Sequence, residues 1–301
     1  MAAVPLKALV IGASGQLGRA LYEVLKTRGY EVVGTYNTGQ ASDVRLDVTD
    51  YVRLEDLIIK ARPDVVFNCA AMTDVDGCEA DRARCYAVNA EAVRHVARAS
   101  SVAKAYLVHV STDYVFDGEK GMYREEDPPG PVNYYGLAKL VGEAYALSYD
   151  YSLVARTSGV YSGYKSNFPR FVIERLAAGQ QVSAVADSYY SPIHARQLAL
   201  ALAELAEQRR TGILHVAGER VSRYELALTI ADAAGLPREL VRPVRLSEMS
   251  WRARRPRDSS LDVGRARSYL GFDFYSVREG VRMLVEEARA LGILARRREG
   301  V

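Results

Sequence analysis

Five short runs of the chain, Lys7 to Ile11, Glu31 to Tyr36, Val65 to Cys69, Tyr106 to Ser111 and Ser152 to Ala155, are apolar and rich in β-branched or aromatic residues. Runs with no polar alternation suit strands covered on both faces. Between them, apolar positions recur with a helical period near 15 to 28, 52 to 61, 83 to 101 and 135 to 149, as in the stripe Leu17, Leu21, Val24, Leu25. Strands alternating with amphipathic helices predict an α/β fold, a doubly wound parallel sheet of the Rossmann type. Pro63 and Asp64 punctuate the entry to Val65, and Asp127-Pro128-Pro129-Gly130-Pro131 marks a loop before the helix near 135.

The second half is less regular. A helix from Ala195 to Arg209 and a strand from Ile213 to Ala217 read as returns to the main sheet, and helices are predicted at 222 to 235 and 276 to 291. The expected organisation is a dinucleotide-binding domain over residues 1–158, with 195–217 returning to it, and a smaller substrate-binding lobe built from 159–194 and 218–301. Such folds bind ligands at the carboxyl ends of their strands, so the lobe is expected to close over that edge.

The composition, 49% hydrophobic and 26% charged over 301 residues, excludes disordered and fibrous classes. A net charge of +3 is small for this length, and the basic runs Arg252 to Arg257 and Arg296 to Arg298 are not interleaved with aromatics as in single-stranded nucleic-acid grooves. No nucleic-acid partner is expected; the C-terminal run reads as a solvated helix end, and an anionic ligand stays open for the first. The N-terminus has no charged leader or cleavage pattern, and no apolar stretch reaches the length a bilayer needs, which predicts a cytoplasmic protein without membrane contact. Cys69, Cys78 and Cys85 form no CxxC pattern and are read as reduced core or helix residues; no metal site is expected.

The chemistry concentrates in Tyr135-Gly-Leu-Ala-Lys139, preceded by Ser111-Thr112-Asp113. A tyrosine and a lysine four apart share a helix face. There the ammonium can draw a phenol of pKa about 10 toward neutrality, which makes it a usable proton donor or acceptor for alcohol and carbonyl chemistry. The same spacing occurs at Tyr22/Lys26, in a sheet-packing helix, and at Tyr161/Lys165, where Gly163 argues for a loop. Only Tyr135/Lys139 heads a helical run downstream of a strand ending in hydroxyls.

Gly12-x-x-Gly15-x-x-Gly18 follows a strand and opens a helix, so Gly12, Ser14, Gly15, Gln16 and Leu17 are candidate pyrophosphate contacts. The second strand runs out at Thr35-Tyr36-Asn37 without an acid to accept from a ribose 2′-hydroxyl, which favours NADP(H), with NAD(H) kept as the other cofactor. In Leu46-Asp47-Val48, closing the third strand, Asp47 can take the adenine amino group with Val48 on its ring, or serve as a helix cap. Small residues Ala70 and Ala71 end the fourth strand, where a cofactor passes close to the backbone.

Taken together, the glycine loop, Asn68-Cys-Ala-Ala-Met-Thr73-Asp-Val75-Asp-Gly-Cys-Glu79, Val88-Asn89, Ser111-Thr-Asp-Tyr-Val-Phe-Asp-Gly118, Tyr135-Gly-Leu-Ala-Lys139, Arg156-Thr-Ser, Asn167-Phe168 and Arg255-Pro256 resemble the extended short-chain dehydrogenase/reductases, and within them the dTDP-4-dehydrorhamnose reductase family. The resemblance implies that Thr112 hydrogen-bonds a sugar C4 oxygen, Tyr135 protonates it, and Lys139 holds the nicotinamide ribose and lowers the phenol pKa. Hydride would come from NAD(P)H, reducing dTDP-4-dehydro-L-rhamnose to dTDP-L-rhamnose. It also implies that Thr73, which borders the cofactor as well, and Val75 line the sugar pocket with Asp113 and Tyr114 nearby, and that Asn167 and Arg255 contact the diphosphate, Arg255 being otherwise a surface ion pair. A homodimer is expected. Two departures stand out: Gly159 where these reductases commonly carry Trp, and Asp187-Ser-Tyr-Tyr-Ser-Pro192-Ile-His194 where they read Asp-Gln and Pro-Thr. The C-terminal part is also similar to the regulatory beta subunit of methionine adenosyltransferase, which implies a rival role as an NADP-binding regulatory partner of another enzyme.

Overall fold

The computed structural model describes residues 5–38 and 43–294, so the basic run Arg296 to Arg298 lies outside the described residues. Seven parallel strands form the main sheet: β1 (Lys7–Ile11), β2 (Glu31–Tyr36), β3 (Val44–Arg45), β4 (Val65–Asn68), β5 (Tyr106–Thr112), β6 (Ser152–Thr157) and β9 (Gly212–His215), in the order β3-β2-β1-β4-β5-β6-β9. The chain turns back at β1, whose two neighbours are β2 and β4, and this reversal opens a crevice at their carboxyl ends.

Both faces of the sheet are covered, which explains the unbroken apolar runs. Ala8, Val10, Val65, Phe67 and Val108 pack into one core with α1 (Gln16–Thr27) and α8 (Ala195–Glu207). Their strand neighbours Leu9, Ile11, Val66 and Leu107 point the other way, into a core with α2 (Tyr51–Ala61) and α5 (Ala92–Ala103). Alternate residues of one strand thus serve two cores. The predicted returns of α8 and β9 to this sheet are observed, β9 pairing with β6.

The helix expected over 83 to 101 is not one helix. It resolves into α4 (Arg82–Tyr86), a π-helical turn (Ala87–Glu91) and α5, and a short α3 (Val75–Ala80) that was not anticipated precedes them. Asp74 and Asp81 cap α3 and α4, accepting from the Gly77 and Arg84 amides at 3.0 and 2.9 Å. In the π turn, Asn89 is fully buried: its Oδ1 accepts from the Met72 amide and its Nδ2 donates to the Met72 carbonyl, both at 3.0 Å. The extra residue turns Asn89 inward, where its amide acts as a one-rung ladder for the loop after β4.

A separate apolar cluster gathers α7 (Phe168–Ala177), α9 (Arg223–Ala234) and α11 (Val277–Ala290), with Ile173, Leu226, Ile230, Val281 and Leu284 at its centre. Two small sheets accompany it, β7 (Val182–Val185) with β11 (Val241–Val244) and β8 (Tyr189–Tyr190) with β10 (Val221–Ser222). The α9 and α11 helices match the expected 222 to 235 and 276 to 291. α7, introduced by the Asn167 cap and Pro169, and the short strands were not anticipated. α6 (Tyr134–Leu147) lies beside α5, and α10 (Gly264–Tyr269) near β9. Among the described residues no helix is long and apolar enough to cross a membrane.

Candidate active site

β5 carries Ser111 and Thr112 to the edge of the crevice, where Thr112 caps a single 3-10 turn by accepting from the Tyr114 amide at 3.2 Å. Opposite, Asn133 caps α6 through the Gly136 amide at 2.9 Å, which places Tyr135 in the first turn and Lys139 one turn deeper. Lys139 is buried and its Nζ donates to the Val110 carbonyl at 2.6 Å. Burial pulls its ammonium down to about 8, with the Glu143 carboxylate working in the opposite direction. Burial likewise pushes the Tyr135 phenol far above its ordinary value, against a hydrogen bond from Thr112.

That second shift runs against the expectation that Lys139 lowers the phenol. Loss of water around the hydroxyl dominates, and the ammonium donates its hydrogen bond to the Val110 carbonyl. The consequence is a phenol that stays protonated and an ammonium that stays charged at neutral pH.

Asp113 is buried behind Thr112. Its carboxylate accepts from the hydroxyls of Thr112 at 3.1 Å, Ser158 at 2.8 Å and Ser259 at 2.5 Å. Burial raises it to about 6 even so. With three donors on its oxygens it fixes the threonine rather than pointing into solvent. A second buried assembly sits below: Arg156 on β6 donates through Nε and Nη2 to both oxygens of Glu143 on α6, at 2.7 to 3.2 Å, and the Ser111 hydroxyl adds a bond at 2.5 Å. The network joins β5, β6 and α6 one residue or one turn away from Thr112 and Lys139.

Two contiguous cavities follow the carboxyl edge of the sheet. One of about 490 Å³ brings together Thr112, Tyr135 and Lys139, with Gly15, Gln16, Leu17, Ala71, Thr73, Val75, Asp113 and Tyr114 also in its wall. The other, about 320 Å³, holds Gly12, Ser14, Asn37, Asp47, Val48, Ala70 and again Gly15 and Ala71. A residue larger than glycine at 18 would put its Cβ 2.1 Å from the Gly12 carbonyl oxygen, so the loop closes tightly on the start of α1. Asp47 lies past the end of β3 and does not cap α2, which Asp50 does. Against the upward pull of its burial, hydrogen bonds from Thr49 and Arg84 hold its carboxyl down to about 2.

Asn167 and Arg255 stand outside both cavities. Asn167 caps α7, and its Nδ2 donates to the Gln16 side chain and to the Ser162 and Lys165 carbonyls at 2.7 to 2.8 Å. Arg255 pairs with Asp76 at 3.1 Å and borders a neighbouring groove of about 510 Å³ with Trp251. The other two Tyr/Lys pairs do not place a tyrosine in either cavity. Lys26 lies 4.5 Å over the Tyr22 ring on α1, and Tyr161 is buried beside His194.

Sequence reasoning missed Tyr190 and Arg223, which stand in the wall of the cavity that holds Tyr135. Lys165, which borders both cavities, lies in a loop, as Gly163 predicts. Arg84, another unanticipated residue, reaches the second cavity beside Asp47.

The family described as RmlD substrate binding domain matches residues 6–290. Among solved structures, one described as a hypothetical dTDP-4-dehydrorhamnose reductase from Sulfolobus tokodaii superposes with a TM-score of 0.86 at 53% identity, over 91% of this chain and 99% of the other. The Bacillus anthracis dTDP-4-dehydrorhamnose reductase in complex with NADP gives 0.87 at 31% identity, over 94% and 100%. By sequence, the dTDP-4-dehydrorhamnose reductase of Mycobacterium tuberculosis is 38% identical over 84% of each chain. Methionine adenosyltransferase 2 subunit beta of Bos taurus is 31% identical over 86% of this chain and 81% of its own length.

Proposed function

The chain belongs to the RmlD substrate binding domain family, and on that premise we propose that it reduces the C4 keto group of a nucleotide-linked 6-deoxy sugar with a nicotinamide dinucleotide, the substrate being dTDP-4-dehydro-L-rhamnose. The observation that carries this reading is the meeting of Thr112, Tyr135 and Lys139 in one cavity continuous with a glycine-loop groove. The groove fits the cofactor: Gly12, Ser14 and Gly15 line it where the chain enters α1, and Gly18 lets the loop close on that helix. When bound, the reduced nicotinamide supplies the hydride.

The chain's own residues orient the carbonyl and manage the proton. Thr112, whose hydroxyl proton rests on Asp113 in the free protein, turns that one proton to the C4 oxygen beside Tyr135 when the sugar binds. Tyr135 gives its proton to that oxygen as charge develops, a role suited to a phenol kept protonated by burial. Lys139, one turn below, supplies positive charge to the phenolate left behind and donors to the ribose.

NADPH is the preferred cofactor in this reading, because the strand end at Asn37 carries no acid and the carboxylate of Asp47 is already engaged by Arg84. The two-lobe division at residue 158, action in the cytoplasm and assembly as a homodimer belong to the same proposal. Likeness to the bovine regulatory subunit supplies the competing reading, and the intact Thr112/Tyr135/Lys139 set favours the enzyme.

The test is NADPH oxidation by purified protein given dTDP-4-dehydro-6-deoxyglucose with the 3,5-epimerase. Wild type is expected to turn over, and Tyr135→Phe to lower kcat by roughly two to four orders of magnitude while keeping cofactor affinity. Tyr161→Phe should leave the rate near wild type. No turnover by wild type with any 4-keto sugar nucleotide would leave the regulatory role standing instead.

A further inference from the structure

One large side chain stands in the catalytic cavity without a part in the chemistry above: Tyr190. It ends β8, opposite Val221 of β10 in antiparallel register. The next amide, of Ser191, donates at 3.2 Å to the Ser158 hydroxyl, which in turn donates to Asp113. The ring is therefore anchored through its backbone to the network that fixes Thr112. On its other side the Arg223 guanidinium lies 5.5 Å from the ring centroid.

The ring fills the space that a side chain at residue 159 would need. A Cβ on Gly159 would lie 2.5 Å from Tyr190 Cε2 and 2.8 Å from Cδ2, closer than real Cβ contacts. The φ of Gly159 is +47°, in the left-handed region that favours glycine. Residue 159 is thus bare for two independent reasons, and the aromatic surface beside it comes from residue 190. Tyr190 borders the cavity that holds Tyr135 but not the one at the far end of the glycine loop. Arg223, its neighbour, also borders the groove of Arg255 and Trp251. The ring therefore faces the part of the cavity turned away from the dinucleotide.

We propose that Tyr190 is a specificity-determining residue whose ring packs face-on against the hexose of the nucleotide sugar, with Gly159 kept bare to hold it there. The inference rests on the reading of this cavity as a keto-sugar site and names its recognition surface. A pyranose presents C–H bonds on its faces, and a 6-deoxy sugar adds a methyl group, so an aromatic face removes apolar area from water while leaving the C4 oxygen to Thr112 and Tyr135.

The test compares wild type, Tyr190→Ala, Tyr190→Phe, Gly159→Ala and the Tyr190→Ala/Gly159→Ala pair, with melting curves to confirm folding. Turnover is measured as above, and calorimetry gives the affinities for dTDP-L-rhamnose, free dTDP and NADPH. Tyr190→Ala is expected to lower kcat/KM and the dTDP-rhamnose to dTDP affinity ratio at least about tenfold, leaving dTDP and NADPH within about twofold. Tyr190→Phe should stay within about threefold of wild type. In kcat/KM, Gly159→Ala should lose at least about fivefold alone and under twofold when Tyr190 is already alanine, because the methyl acts on turnover by pushing the ring aside, while the left-handed strain at 159 lowers the melting temperature equally in both backgrounds. An unchanged ratio in Tyr190→Ala overturns the proposal. So does an equal loss in Tyr190→Phe, which would move recognition to the hydroxyl, or a weakened NADPH, which would put the ring on the cofactor. Wild type without turnover sinks the reaction assigned above, while the calorimetric ratio still decides on Tyr190.

Discussion

Replacing Glu143 by glutamine removes the counter-ion of Arg156 and little else in size. Both side chains are 3% exposed, so the guanidinium keeps its charge with no solvent to receive it. The glutamine has one acceptor oxygen where the carboxylate served Arg156 Nε and Nη2 and the Ser111 hydroxyl together. Breaking a buried pair from one side destabilises by about 3–5 kcal/mol. For a chain of this size that corresponds to a melting temperature lower by roughly 5–8 °C. Arg156→Met, which strands the carboxylate, should show a similar loss, whereas Glu143→Leu with Arg156→Met should return to within about 2 kcal/mol of wild type. Calorimetry of wild type, Glu143→Leu, Arg156→Met and the pair yields the coupling energy. Single variants that each lose less than about 1 kcal/mol and combine additively would refute the reasoning. A kinetic sign accompanies it: Glu143 holds the Lys139 ammonium up against burial, so Glu143→Gln should shift the alkaline limit of activity to lower pH.

Two further predictions concern catalysis and the cofactor. The role proposed for Lys139 needs it charged, and burial brings its ammonium down to about 8, so kcat measured with saturating NADPH should be level below that pH and fall as pH rises through it; a rate that climbs through this range would contradict the proposed role. Calorimetric titration should show NADPH bound more tightly than NADH, and NADH tighter by tenfold, about 1.4 kcal/mol, would overturn the argument from Asn37 and the Asp47–Arg84 pair.

The strands β1, β2, β4, β5 and β6 were legible because a buried parallel strand has apolar residues on both faces, and five such runs have few other uses. That Thr112, Tyr135 and Lys139 share one cavity was legible for a comparable reason: a four-residue helical spacing and a strand ending in hydroxyls are local facts. The break of the 83 to 101 helix was not, since the reason for it is Met72, a residue brought to Asn89 by the sheet. Two-residue strands such as β8 and β10 leave no periodicity to read. Tyr190 was hidden for the same cause: that residue 159 is bare and residue 190 fills its space depends on two segments meeting across the cavity. Asn167 was read only through the resemblance, as a diphosphate contact, and its cap on α7 was not anticipated.

The π turn at Ala87–Glu91 makes the count of residues there a mechanical quantity. Each residue of an α-helix advances the chain by about 100° around its axis. One residue fewer would let the turn wind as ordinary α-helix, and the difference in phase would have to appear at one end or the other. If α5 kept its place, with Val93, Val96 and Ala97 in the core, Asn89 would swing off Met72 and release the loop that leads from β4 to Thr73. If Asn89 stayed, the core face of α5 would rotate toward water. Gly142 of α6 closes the arrangement from the far side, since a Cβ there would come within 2.4 Å of the Asn89 carbonyl oxygen. The segment can thus exchange side chains along its exposed face, but a deletion of a single codon would act like a slipped gear tooth, turning one working surface out of mesh with the other.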